Sequence, residues 1–287
     1  MTRREVIKKT GCIAAMMQSG WLDLNVAERK SFLHISACDW SIGKSADIRA
    51  FEVARAIGLE GIQVNLGSLS DNLRLRNPEV QQAYIQASKK YNIKISSLAI
   101  GELNHVPYKS DPQTDQWVSD SIDVASTFKV KTILLAFFVK NDLRNDEAGK
   151  KEIIRKLKAI APKAEQAGVT LGIESYLTAA EHMDIIQQVG SPAIKVFYDF
   201  RNAADAGNDV IKEIKWLGKD IICELHIKEN GFLLGQGTMD WRRIFDTLHD
   251  MSYKGDGWMQ IEWSMPKNAD IVSSYKSNLS YLKNISR

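Results

Sequence analysis

From Phe32 to the C-terminus, short apolar runs alternate with longer stretches that are apolar on one helical face only. The short runs are rich in β-branched and aromatic residues, and they predict strands over 32–37, 61–66, 93–100, 131–139, 169–174, 194–199, 221–228 and 258–263. The amphipathic stretches predict helices over 46–57, 78–91, 114–128, 147–167, 179–189, 203–217, 240–251 and 271–285. Pro78 sits where a first helical turn tolerates proline, and Gly168 sits where a helix end needs a left-handed residue. Eight strand–helix units thus follow one another without a long structureless insert. A helix between successive strands implies parallel pairing. Eight such units favour closure into a single-domain α/β fold, a (β/α)8 TIM barrel over 31–287.

Length changes little in that picture, since 287 residues suit one barrel of about 250 plus a leader. A hydrophobic content of 44% is enough for a sizeable core. No apolar run approaches the roughly 20 residues that cross a bilayer. The net charge is only +3, with Lys and Arg interspersed among carboxylates, so no nucleic-acid partner is expected. Cys12, Cys38 and Cys223 are too few and too scattered for a disulfide framework or a zinc ribbon. No glycine-rich turn of the dinucleotide or P-loop type follows a strand.

The N-terminus reads differently. Thr2-Arg3-Arg4-Glu5-Val6-Ile7-Lys8 resembles a twin-arginine export signal, followed by a short apolar stretch and a small-residue junction near Val26-Ala27. Residues 1–30 are therefore read as an export signal and leader. That reading predicts a periplasmic location, and the competing reading, a basic helix or tail, predicts a cytoplasmic one.

Candidate chemistry sits at the C-terminal ends of the last four strands, where barrels place reactive groups. Those ends carry Glu174, Asp199, His226 and Glu262. Alternation places Cys223, Leu225 and Ile227 on the outer face of strand seven, with Glu224, His226 and Lys228 pointing inward. In strand eight it places Ile261 and Trp263 outward, and Gln260, Glu262 and Ser264 inward. Each of the four has an ordinary alternative: Asp199 as a helix cap, Glu174 or Glu262 as a rim carboxylate, His226 as a satisfied core residue. Their equivalent positions on four successive strands argue for one site. Three carboxylates and an imidazole at one mouth would repel without a cation, and they suit one divalent ion such as Mn, Mg, Co or Zn.

At this point the chain resembles the xylose-isomerase-like sugar (phosphate) isomerases and epimerases. The resemblance runs from about His34 onward and rests on Gly172-Ile173-Glu174-Ser175, Tyr198-Asp199-Phe200-Arg201-Asn202, His226-Ile227-Lys228 and Gln260-Ile261-Glu262-Trp263. The intervals of 25, 27 and 36 residues between the four also look like the Glu–Asp–His–Glu spacing of ketose 3-epimerases. The resemblance implies a metal held by Glu174, Asp199, His226 and Glu262. It also implies proton transfer through an enediolate, with Glu174 and Glu262 as the acid/base pair, on a sugar or sugar phosphate. It leaves a homo-oligomer open.

Asn202 stands where some ketose epimerases carry a histidine. With Lys228 and Arg201, this tilts the expectation toward a phosphorylated or acidic ligand. Lys228 has the alternative of a salt bridge to Glu224 or Glu229. Gly235-Gln236-Gly237 is a further candidate anion loop. Across the mouth, Trp40 and Glu102 are the candidate sugar contacts, with Asn65, Asn104 and His105 beside them. Inosose-type dehydration or aldose–ketose isomerisation would use the same site. A non-catalytic sugar-binding barrel would not need two opposed carboxylates. An abasic-site endonuclease shares the barrel but needs a histidine-rich zinc cluster, and only five histidines are present.

Overall fold

The computed structural model describes residues 33–286. The expected export signal and leader over 1–30, and the start of the first predicted strand at Phe32, lie outside the described residues. Eight strands follow: β1 (His34–Cys38), β2 (Gly61–Asn65), β3 (Lys94–Ile100), β4 (Thr132–Phe137), β5 (Thr170–Ser175), β6 (Ile194–Asp199), β7 (Ile222–Lys228) and β8 (Trp258–Glu262). They pair in parallel in chain order, and β8 closes on β1. The predicted (β/α)8 barrel is the observed fold.

The helices around it are α1 (Ala50–Ile57), α2 (Pro78–Tyr91), α3 (Gln113–Phe128), α4 (Glu147–Ala167), α5 (Ala179–Val189), α6 (Phe200–Asp205), α7 (Val210–Leu217), α8 (Trp241–Asp250) and α9 (Ile271–Ile285). Several starts are fixed by side chains that accept the free N–H groups of a first turn. Asn77 does this for α2, Asp146 for α4, Asp240 for α8 and Asp270 for α9, while Thr178 and Glu181 close a reciprocal capping box on α5. Gly168, at φ 65°, ends α4. No helix among the described residues is long and apolar enough to cross a membrane.

The main core lies between strands and helices. A smaller apolar cluster inside the barrel contains Ala99, Leu134, Ala136, Phe197 and Cys223. Cys223 corrects the alternation argument. Pairing passes from Val196↔Ile222 to Phe197↔Glu224, so Cys223 is an extra residue in β7 and packs inward rather than against the helices. Gly172 makes room for it, because a Cβ there would lie 2.8 Å from Cys223 Sγ.

Most other boundaries shift by a residue or two, α1 starts at Ala50 rather than at 46, and two further departures change the local geometry. The single helix predicted over 203–217 is two: α6 starts at Phe200, Gly207 turns the chain at φ 87°, and Asp209 caps a new helix by accepting from Lys212 N–H. Strand eight stops at Glu262. Trp263 has φ 46° and is 46% exposed, so it stands on the rim of the mouth instead of packing outward.

Candidate active site

The four strand-end residues meet. Ligand atoms of Glu174, Asp199, His226 and Glu262 all lie within 4.8 Å of one another, and all four residues are buried. Neighbouring register brings Asp199 beside His226 and Lys228 beside Glu262. His226 is central. Its Nδ1 faces Glu174 Oε1 at 2.9 Å, Glu262 Oε2 at 3.8 Å and Asp199 Oδ2 at 3.9 Å.

The other side of the same ring faces into the barrel. His226 Nε2 lies 2.7 Å from Gln63 Oε1 and 3.4 Å from Cys38 Sγ. A carbonyl oxygen can only accept, so Nε2 carries a proton, and Nδ1 donates to Glu174 while the ring is protonated or turns its lone pair to a cation once that second proton is lost. Gln63 Nε2 in turn donates to Ser97 Oγ at 3.1 Å. Below that, Gln260 Nε2 donates to Glu224. Glu224 is pushed up to about 8 by burial. A column of polar side chains thus fills the barrel beneath the site.

Charge is unevenly distributed among the four. Burial raises Glu174 to about 7 even though His226 pulls it down. Burial also raises Asp199, against the pull of Lys228. Burial would raise Glu262 too, but Lys228 and His226 outweigh it and hold this carboxylate below its usual range. Burial lowers His226, but Glu174, Glu262 and Asp199 prevail and lift the imidazole to about 9. Three carboxylate side chains share one small buried volume with one ammonium and one imidazole. That mixed oxygen and nitrogen set fits a divalent cation.

Lys228 is held at 2.9 Å from Glu262 Oε2, 3.4 Å from Asp199 Oδ2 and 3.2 Å from Asn202 Oδ1. It pairs with neither Glu224 nor Glu229, the partners considered from sequence. Asn202 also donates to Glu174 Oε1 at 3.4 Å, and its backbone N–H donates to Asp199 Oδ1 at 2.8 Å. Asp199 therefore caps α6 and faces the cluster at once. Trp40 donates from Nε1 to Glu262 Oε1 at 2.7 Å.

A cavity of about 350 Å³ opens over the cluster. It is lined on one side by Glu174, Glu262, Lys228 and Asn202, and on the other by Asn65, Glu102, Asn104 and His105, with Trp40 at its edge. Phe138, Tyr176 and Trp263 line it as well, and none of the three was expected in the mouth from sequence. Phe138 and Tyr176 meet edge to face at 4.8 Å. Arg201 does not line the cavity. One helical step beyond Phe200 it points to Asp205 at 2.8 Å and Thr238 at 3.1 Å, tying α6 to the loop after β7. Gly235 and Gly237 do not line it either. They pack against Tyr281 and Glu229, so the proposed anion loop is scaffolding. Among the described histidines, His34 faces Glu60 and His182 faces Ser175. Of the described histidines only His105 lines the cavity, while His226 lies buried within the cluster beneath it.

A model described as the xylose isomerase-like TIM barrel matches residues 51–285. The chain belongs to that family. The xylose isomerase-like barrel identified from the sequence motifs is thus borne out. Among curated relatives, D-psicose 3-epimerase of Enterocloster bolteae is 28% identical over 133 residues, which cover 43% of this chain and 43% of that protein. A 2-epi-5-epi-valiolone 7-phosphate 2-epimerase from Actinoplanes sp. is 23% identical over 225 residues, covering 75% and 81%. Among solved structures, D-psicose 3-epimerase with D-tagatose from Clostridium cellulolyticum superposes with a TM-score of 0.72. It is 16% identical, with 89% of this chain and 100% of that one covered, and this likeness bears on the fold. Relatives of this xylose isomerase-like barrel thus include proteins named as epimerases, one of D-psicose and one of a 7-phosphate.

Proposed function

We propose that this barrel is a divalent-metal-dependent epimerase of a sugar, moving a proton on and off the carbon beside a carbonyl. The observation that carries the reading is the placement of Glu174 and Glu262. They come from non-adjacent strands, and both line the cavity above one shared cluster of ligand atoms. A substrate between them meets a carboxylate from each side. Epimerisation requires this, since one face gives up the proton and the other receives it.

Glu174, Asp199, His226 and Glu262 would hold the metal, with Mn, Mg, Co and Zn as candidates. A bound divalent cation supplies Lewis-acid stabilisation of the oxygen charge that develops when the neighbouring carbon loses its proton. The remaining work belongs to the chain. Glu174 and Glu262 accept and return the proton. Trp40 and Lys228 hold the Glu262 carboxylate in place through its two oxygens. Asn202 steadies Glu174 and Asp199 together. Inosose-type dehydration and aldose–ketose isomerisation begin with the same proton abstraction, so the product decides among them.

The test is solvent-deuterium incorporation into a panel of ketoses with each of the four metals added, followed by identification of the product. The expected result is deuterium at one carbon with its configuration inverted. Glu174→Gln and Glu262→Gln should each lower turnover by roughly 10²–10⁴-fold, the usual worth of a positioned acid or base. Near-normal turnover in both variants would sink the two-carboxylate mechanism. Tight sugar binding with no exchange would favour a non-catalytic binding barrel.

A further inference from the structure

The cavity wall facing the four ligand residues is built by segments that follow β2, β3 and β4. Its two amide side chains are already engaged. Asn65 Nδ2 donates to Ser45 Oγ at 3.0 Å, and Asn104 Oδ1 accepts the Phe138 N–H at 3.0 Å. These contacts stiffen the wall. On the opposite side Lys228 is held by Glu262, Asp199 and Asn202.

Glu102 and His105 have no such side-chain partner among the described residues, and Glu102 is the carboxylate of this wall. It lies in a short 3₁₀ turn, Gly101–Asn104, that continues directly from β3, so its position is fixed by the barrel rather than by a long loop. The residue is half-buried and lines the cavity, yet its carboxylate has no hydrogen-bond or ion-pair partner among the described residues. A half-desolvated carboxylate with free acceptor sites suits a ligand that donates several hydrogen bonds.

We infer that Glu102 is a specificity-determining residue that accepts from hydroxyls at the non-reacting end of the substrate, and that this end is an uncharged polyol rather than a phosphate. The inference rests on the epimerase reading above and adds the substrate class to it. A phosphate dianion beside Glu102 would place like charges together in a cavity whose ammonium is already paired with carboxylates. A free sugar meets an acceptor there instead. This reverses the expectation of an anionic ligand drawn from Asn202 and Lys228: those two groups hydrogen-bond to each other and to the candidate ligands.

The experiment compares kcat/KM, by solvent-deuterium exchange, for D-fructose, D-tagatose and D-ribulose and for the terminal phosphate ester of each. The free ketose should be preferred by at least about tenfold, the scale of one lost charge-assisted hydrogen bond. Glu102→Gln should raise KM for the free sugar more than it lowers kcat, and Glu102→Lys should shift the preference toward the phosphate ester. Equal or better use of the phosphate by the unaltered protein overturns the inference and leaves the epimerase reading intact. An unchanged KM in both variants also overturns it. Exchange with no member of the panel counts against the epimerase reading itself.

Discussion

A histidine can bind a cation through one nitrogen only if the other has somewhere to put its proton. At His226 that place is Gln63 Oε1, 2.7 Å away. Gln63 is therefore a positioning residue, and Gln63→Leu should weaken divalent-metal affinity by about 10–100-fold, beyond the roughly 1–3 kcal/mol that the unpaired Nε2–H costs the metal-free protein. Calorimetric titration with manganese checks this, and unchanged affinity would remove Gln63 from the account. Lys228 makes a different prediction. Its ammonium sits among carboxylates, so Lys228→Met should destabilise the metal-free protein by about 3–5 kcal/mol, the cost of leaving buried charge uncompensated. Added metal should restore much of that loss. If the variant melts like the unaltered protein without metal, the ammonium is not the counter-charge. The four candidate ligands were legible in the sequence because each is a titratable residue at a strand end. Gln63 carries no reactive chemistry, so it went unremarked. Its signal was a polar residue set between the apolar Ile62 and Val64 in β2.

The order of strands and helices was equally legible, because hydrophobic periodicity is a local signal, and Gly168 marked one helix end. What alternation cannot see is where a strand takes in an extra residue or turns aside. Cys223 and Trp263 are the two cases, one through a bulge in β7 and the other through a left-handed turn at the end of β8. Arg201 fails for a related reason. Its closeness to Asp199 in sequence is undone by the first turn of α6, which rotates each residue about 100° from the last. The junction between β5 and α5 yields a pH prediction. His182 Nδ1–H donates to the Thr178 carbonyl at 3.1 Å, and Nε2 accepts from Ser175 Oγ at 2.9 Å. The neutral ring is satisfied, and burial lowers its pKa to about 4. The unfolded chain takes up this proton near pH 6.5 and the folded one does not. The contribution is thus complete above about pH 6.5 and lost as pH falls toward 4. Urea titrations should show about 2 kcal/mol less stability at pH 5 than at pH 7 from this group. His182→Gln should abolish that increment, and an identical pH slope in the variant would contradict the assignment.

At the scale of the whole molecule, the site exists only when the barrel is closed, since β5 and β8 supply its two proton-transfer candidates and are not adjacent. Metal binding should therefore report on global folding. Saturation at one hundred times Kd adds about 2.7 kcal/mol, which raises the melting temperature of a barrel this size by roughly 5–10 °C. A thermal melt before and after chelation measures this, and no shift with manganese, magnesium, cobalt or zinc would count against a metal at these four residues. Asp199 carries a further consequence. One of its oxygens ends the open turn of α6 while the other looks into the cluster. Asparagine would keep the first job and lose the second; glutamate would keep the charge and move it. In a saturation library sorted once for cellular abundance and once for turnover, most substitutions at position 199 should fail both screens, and asparagine should fail only the second. At position 262, whose carboxylate caps no helix, any loss of abundance should come from the broken pairing with Lys228, while turnover should fail with every substitution.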